Sequence, residues 1–217
     1  MTYDVAIIGG GVIGCAIARE LSRFHLKIAL LEKDCEVGFG TSKSNSGIIH
    51  AGHHSESGTL KGQLEWEGNQ RWDVLCEELG FGFERIGELT VAFTGDQCRN
   101  LEKIRTQGEA RKIPGLEMWD RDRIQLEEPN LSTDIIAALH APTAGVVNPY
   151  EACFALIECA RANGVELHVD FPVVDLVRED GGWRIIGAAG EVAARFVVNA
   201  AGVFADRVAA MAGVGTF

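Results

Sequence analysis

The stretch VAIIGGGVIGCAIA, residues 5–18, decides how this sequence is to be read. Its opening residues are apolar and end in two isoleucines, which suits a strand buried on both faces. Glycines spaced Gly9-x-Gly11-x-x-Gly14 follow at once, and the pattern then turns helical, with Ala16, Ile17 and Leu21 at core spacing. A strand over 3–8, a helix over 12–24 and a second strand over 27–31 make a βαβ unit. Each glycine has its own task in such a unit. Gly9 permits the tight turn, Gly11 lets the backbone approach a pyrophosphate, and Gly14 lets helix and strand pack closely. The helix start presents free N–H groups and the positive end of its dipole to an anion. Glu32 closes the second strand 18 residues after Gly14, where a carboxylate accepts hydrogen bonds from ribose hydroxyls and repels a 2′-phosphate. The unit reads as a site for the ADP half of a dinucleotide.

The rest of the 217 residues narrows the setting. With 47% hydrophobic and 24% charged residues the chain has the balance of a globular protein with a sizeable core. A net charge of -11 leaves no basic excess to displace counterions, so nucleic acid is not an expected partner. The apolar run 5–18 is too short to span a bilayer, and Asp4 stands where a signal peptide would carry a base. No targeting segment and a cytoplasmic location are expected, with peripheral membrane contact left open. Six cysteines are scattered without a C-x-x-C pair, and most read as small buried hydrophobes in a reducing compartment.

Residues 38–58 form a long polar stretch rich in Gly, Ser and His, of the kind that is functional or disordered. A single helix over 60–79 stops at Gly80, and 84–93 reads as a strand. Asp96 and Asp120 are candidate helix caps. Asn148, Pro149 and Glu151 open a further helix with a cap, a first-turn proline and a well-placed acid. Strands are expected over 165–169, 173–178, 183–186 and 196–199, then a turn at 200–202 and a helix over 204–211. The fold class is α/β, a Rossmann-like dinucleotide-binding domain with a partial α+β substrate domain. The expected division is 1–79 and 148–217 for nucleotide binding, with 80–147 as a partial substrate or cap domain.

Three of the six histidines, His50, His53 and His54, fall within five positions. No carboxylate at metal-ligand spacing accompanies them in the sequence, so no metal is expected. His50, between apolar neighbours and glycine, is the candidate for proton transfer, whereas His53 and His54 read as solvated loop positions.

These residues together resemble the FAD-dependent oxidoreductases of the D-amino-acid-oxidase superfamily. Within it they are most similar to flavin-linked glycerol-3-phosphate dehydrogenases of the anaerobic catalytic-subunit type and to L-2-hydroxyglutarate oxidases. The resemblance lies in GTSKSNSGIIHAG (40–52), GTLK (58–61), EGN (67–69), RIGELTV (85–91), APTAGVVNP (141–149) and VVNAAG (197–202) with Asp206. It implies that FAD is the dinucleotide, with Gly9, Gly11 and Gly14 at its pyrophosphate and Glu32 at the adenosine ribose. Lys33 would flank the adenosine end. Thr41, Ser42, Asn45 and Ser46 would line the pyrophosphate and ring side, with His50 near the isoalloxazine. Val173 would meet adenine through its backbone, and Ala201 and Gly202 would form a second close approach to the ribityl stem.

The activity implied is oxidation of glycerol 3-phosphate by hydride transfer to flavin. The alternatives are oxidation of L-2-hydroxyglutarate or another 2-hydroxyacid or amino acid, and an inactive FAD-binding fragment. The partners implied are a small anionic hydroxy substrate and an electron acceptor, whether quinone, protein or oxygen. Family members are longer than this chain, so a second chain completing the fold stays open.

Overall fold

The computed structural model describes residues 2–56 and 58–215; the ends of the expected divisions at 1 and 217, and Ser57 in the polar stretch, lie outside them. The chain begins β1 (Thr2–Ile8), α1 (Val12–Leu21), β2 (Ile28–Leu31) and, after a 3-10 turn at Thr41–Lys43, β3 (Ile48–Ile49). Then come α2 (Leu60–Asn69), α3 (Trp72–Leu79), β4 (Phe83–Glu84), β5 (Glu88–Ala92), α4 (Gly95–Ala110), β6 (Glu117–Asp120) and α5 (Arg121–Glu127). The last part holds β7 (Ala137–Ala141), β8 (Gly145–Val147), α6 (Pro149–Ala162), β9 (Glu166–His168), β10 (Val173–Glu179), β11 (Gly182–Gly187), β12 (Gly190–Asn199) and α7 (Ala205–Met211).

The chain divides into two compact units. The first comprises residues up to Asn45, Leu79–Phe81 and those from Asn148 onward; the second is Ser46–Glu78 with Gly82–Val147. The first unit is built on a six-stranded sheet in the order β10-β11-β12-β1-β2-β9. β12, β1, β2 and β9 run parallel, and β10, β11 and β12 form an antiparallel meander at one side. Ala6, Ile7, Ala29 and Leu30 are fully buried, as central parallel strands covered on both faces require. α1 packs on α6, and Val208 of α7 joins the cluster formed by Ile8, Leu31, Leu176 and Ile185. Val5 pairs with Ile28 and Ile8 with Leu31, so β1 and β2 are the parallel pair of a βαβ unit whose crossover helix is α1.

The second unit carries two three-stranded antiparallel sheets, β3-β8-β4 and β5-β7-β6. It groups residues by compactness rather than by what they bind. Residues 46–78, read from the sequence with the nucleotide-binding part, group here because Ile48 and Ile49 pair with Val146 and Gly145.

Several local expectations change. The helix expected over 60–79 is two helices, interrupted where the backbone N–H of Arg71 turns back to Gly68 and Asn69 is buried. The strand expected over 84–93 breaks at Gly87, whose φ of 75° an L side chain resists. Thr94, rather than Asp96, caps α4, in a capping box with Gln97. α1 ends at Leu21, leaving Phe24 exposed. Asp120 and Asn148 do cap their helices. Cys15, Cys76 and Cys153 are buried, Cys98 and Cys159 are half-buried, and Cys35 is exposed. No helix among the described residues is long and apolar enough to cross a membrane.

Candidate functional site

The two glycine turns of the first unit lie side by side. β1 and β12 are parallel neighbours with Ile8 opposite Asn199, so Gly9 and Ala200 leave the sheet together at its carboxyl edge. The N–H of Ala200 donates to Ile8 O at 2.8 Å. Packing here explains two of the glycines. A Cβ on Gly9 would stand 2.4 Å from Ala200 O, and one on Gly14 would stand 1.9 Å from Gly9 O. Gly11 is different: a Cβ there would meet only Ser42 Oγ, at 3.1 Å. Its bare backbone faces space that protein atoms do not fill.

α1 opens at Gly11 with no side-chain cap on its N-terminal residue and no acid in its first turn, so its dipole end is not neutralised from within. The hydroxyl of Ser42 accepts from Val12 N–H at 2.9 Å, which brings the 3-10 turn against the helix start. Asn45 Nδ2 donates to the carbonyls of Thr41 and Ser42, closing that turn on itself. Glu32 is buried, and its carboxylate accepts from Gly10 N–H at 2.6 Å and Asp34 N–H at 2.9 Å. It therefore ties the glycine turn to the end of β2. Lys33 is exposed and paired with Asp34. Val173 starts β10, and Ala201 and Gly202 begin the turn after β12, where Gly202 takes a φ of 57°. A helix end whose own N-terminal residue supplies no cap, a glycine whose cradle stays open and a buried acid at the strand end fit the pyrophosphate and ribose of a dinucleotide such as FAD.

Ser46 and His50 belong to the second unit. His50 directly follows β3, and Glu88 starts β5. His50 Nδ1 lies 2.8 Å from Glu88 Oε2, and Ala51 N–H donates to Glu88 Oε1 at 3.2 Å. Burial would raise the Glu88 pKa, but contacts from His54, His50 and Ala51 outweigh it and pull it down to about 2. The carboxylate is thus ionised and can only accept, so His50 donates through Nδ1. His54 Nε2 lies 3.5 Å from Glu88 Oε1, and that contact raises its pKa against the effect of burial.

His53 is not a solvated position. It is fully buried, neither ring nitrogen has a hydrogen-bond partner, and burial followed by the charge of His54 lowers its pKa to about 4. Its approach to Glu88 at 3.7 Å is accordingly no ion pair at neutral pH. A cleft of about 600 Å³ opens beside this cluster, lined by His50, His54, Glu56, Thr59, Lys61 and Glu65.

The backbone of His50 is braced from behind. Asn69 Nδ2 donates to His50 O and to Thr143 O, each at 2.9 Å. Arg85 in turn donates to Asn69 Oδ1 at 3.1 Å and through Nε to both Asp73 oxygens, and its hydrogen bonds hold the Asp73 carboxyl below the ordinary range. Sequence reading assigned no role to Glu88, Asn69 or Arg85. All three lie inside the segments 67–69 and 85–91 that carry the family resemblance, and that was their only signal.

Comparison with known proteins identifies the family. A glycerol 3-phosphate dehydrogenase from Caloramator mitchellensis is 45% identical over 206 residues, 95% of this chain and 43% of that protein. The mitochondrial L-2-hydroxyglutarate dehydrogenase of Caenorhabditis elegans is 30% identical over 221 residues, 99% of this chain and 51% of that one. Among solved structures, the dithionite-reduced L-α-glycerophosphate oxidase of Mycoplasma pneumoniae with FAD bound superposes with a TM-score of 0.90 at 31% identity, covering 97% of this chain and 57% of that one. The chain spans about half the length of these relatives. The family model for FAD dependent oxidoreductases matches residues 4–216, and the chain belongs to that family.

Proposed function

We propose that the protein oxidises glycerol 3-phosphate, with FAD accepting the hydride. The observation that carries this reading is the hydrogen bond from His50 to Glu88, a base held in one orientation by an ionised acid. When bound, FAD supplies the two-electron acceptor that no side chain provides. The chain's own residues bind, orient and move a proton. Gly9, Gly11, Gly14, Thr41, Ser42, Asn45 and Ser46 serve the pyrophosphate side, and Glu32 and Lys33 the adenosine side. Val173 serves the adenine, and Ala201 and Gly202 the stem that leads to the ring. His50, with Nδ1 engaged by Glu88, keeps Nε2 free to take the proton of a substrate hydroxyl while hydride leaves the adjacent carbon.

Residues 1–79 with 148–217 serve as the FAD-binding domain in this reading, and 80–147 as part of the substrate domain. The substrate is a small anionic hydroxy compound, and the acceptor that reoxidises the flavin is a quinone, another protein or oxygen. A cytoplasmic location, with peripheral membrane contact or a completing second chain as open additions, accompanies it.

Steady-state assays of the FAD-loaded full-length protein with a dye acceptor test the proposal. Turnover of glycerol 3-phosphate is expected, with His50→Asn lowering kcat by roughly 10²–10⁴. The 30% identity to an L-2-hydroxyglutarate dehydrogenase favours a second reading, in which 2-hydroxyglutarate is the better substrate. Failure to oxidise either compound would leave the reading of an FAD-binding protein without activity.

A further inference from the structure

The histidine cluster of the second unit has the composition and spacing of a transition-metal site. One ligand atom each from His50, His54 and Glu88 falls within 4.8 Å of the others. Tetrahedral zinc with bonds of 2.0–2.1 Å sets its ligands about 3.3 Å apart. Here Glu88 Oε2 lies 2.8 Å from His50 Nδ1 and Glu88 Oε1 lies 3.5 Å from His54 Nε2, and with all three ligand atoms within 4.8 Å of one another, rotation of the exposed imidazoles brings them to bonding distance.

A second observation points the same way. His53 is fully buried, lies 3.7 Å from Glu88 Oε1 and has no hydrogen-bond partner at either ring nitrogen. A buried imidazole left unsatisfied is costly, and a nearby cation with its water would satisfy it. Its ring also packs against His54 at 4.1 Å between centroids, and that of His54 meets His50 edge-on at 5.0 Å. The cluster opens on the cleft where Glu56 and Glu65 outnumber Lys61, and with Glu88 they leave a negative excess that draws in cations.

We propose that His50, His54 and Glu88 bind one divalent ion of the zinc class, with the buried His53 beside them as a supporting partner. The ion takes the place of the Nδ1 proton that His50 gives to Glu88, and that proton moves to Nε2. The metal-bound form is thus an alternative to the form in which His50 acts as base, and water from the cleft fills the fourth position. Imidazole nitrogens with a single carboxylate select zinc-like ions over magnesium or calcium, which call for oxygen-rich shells. Binding of the ion does not depend on the flavin reading, and the two are read by separate measurements.

The test is equilibrium dialysis of the untagged, chelator-treated, FAD-loaded full-length protein against Zn²⁺ and, separately, Mg²⁺, with bound metal measured by mass spectrometry. A Cys35→Ser background removes the exposed thiol as a competing ligand. One Zn²⁺ per chain is expected, with no stoichiometric Mg²⁺. Its affinity should fall at least ~10-fold in His54→Phe, which keeps a ring in the stack, and in Glu88→Gln. Co²⁺ in place of Zn²⁺ should add four-coordinate ligand-field absorption that His54→Phe abolishes. Absence of stoichiometric Zn²⁺ in the parent protein, or an affinity unchanged in both variants, would overturn the proposal.

Discussion

At Gly14 one methyl group is enough to separate helix from strand. Its Cβ would stand 1.9 Å from the carbonyl of Gly9, a backbone atom that cannot swing aside as a flexible side chain would. Gly14→Ala should therefore cost about 1–3 kcal/mol of stability, measurable as a lower denaturant midpoint. An unchanged midpoint would mean that the close approach does not exist. Glu32 is argued on charge rather than volume. Its carboxylate accepts two backbone N–H bonds, at 2.6 and 2.9 Å, and hydrogen bonds to a charged group are worth about 1.5–3 kcal/mol each. Glu32→Gln keeps the shape and loses the charge, which loosens the glycine turn and weakens a bond to the ribose; a loss of about 1.5 kcal/mol or more there lowers FAD affinity by about tenfold or more, read by flavin fluorescence titration. Equal affinity would remove Glu32 from the adenosine site.

Elements decide the next scale, because strands and helices carry these residues to one another. Tyr3 on β1 reaches across β2 to donate to Glu166 of β9 at 2.6 Å. Burial first, and then Glu166, push the Tyr3 pKa up to about 12 from 10.0. A raised folded-state value means that this contribution is fully present below pH 10 and is lost as pH rises through about 12. Tyr3→Phe should thus be less stable by about 1 kcal/mol near neutral pH, with the difference shrinking between pH 10 and 12 in thermal unfolding. A constant difference across that window would contradict the pairing. In the second unit Arg85 links α3 to the carbonyl-binding Asn69 at the end of α2. Lysine cannot reproduce its fork. Arg85→Lys should lower kcat more than it alters KM, since it loosens the backbone of His50 without touching substrate; an effect confined to KM would argue against the brace.

For the whole molecule, the residues of the pyrophosphate and adenosine side lie in the first unit apart from Ser46, whereas His50 lies in the second. ADP alone should therefore compete with FAD for binding, and displacement titrations that find no competition would refute the assignment of Glu32 and the glycine turn. Much of this was legible beforehand, since strand and helix periodicity around Gly9-x-Gly11-x-x-Gly14 are local properties and Glu32 follows at fixed spacing. The break between α2 and α3 was not, because it depends on Asn69 being buried against carbonyls of residues 50 and 143. By itself the sequence determined the βαβ unit, the caps of α5 and α6 at Asp120 and Asn148, and membership of a dinucleotide-binding class, all of which depend on neighbours close in the chain. Only the tertiary structure decided that Glu88 stands beside His50 and His54, that His53 is buried, and that Ala200 abuts Gly9. Those contacts join positions 38 and 191 residues apart, and pairing of β1 with β12 and of β5 with β7, rather than any local propensity, brings such distant segments into register.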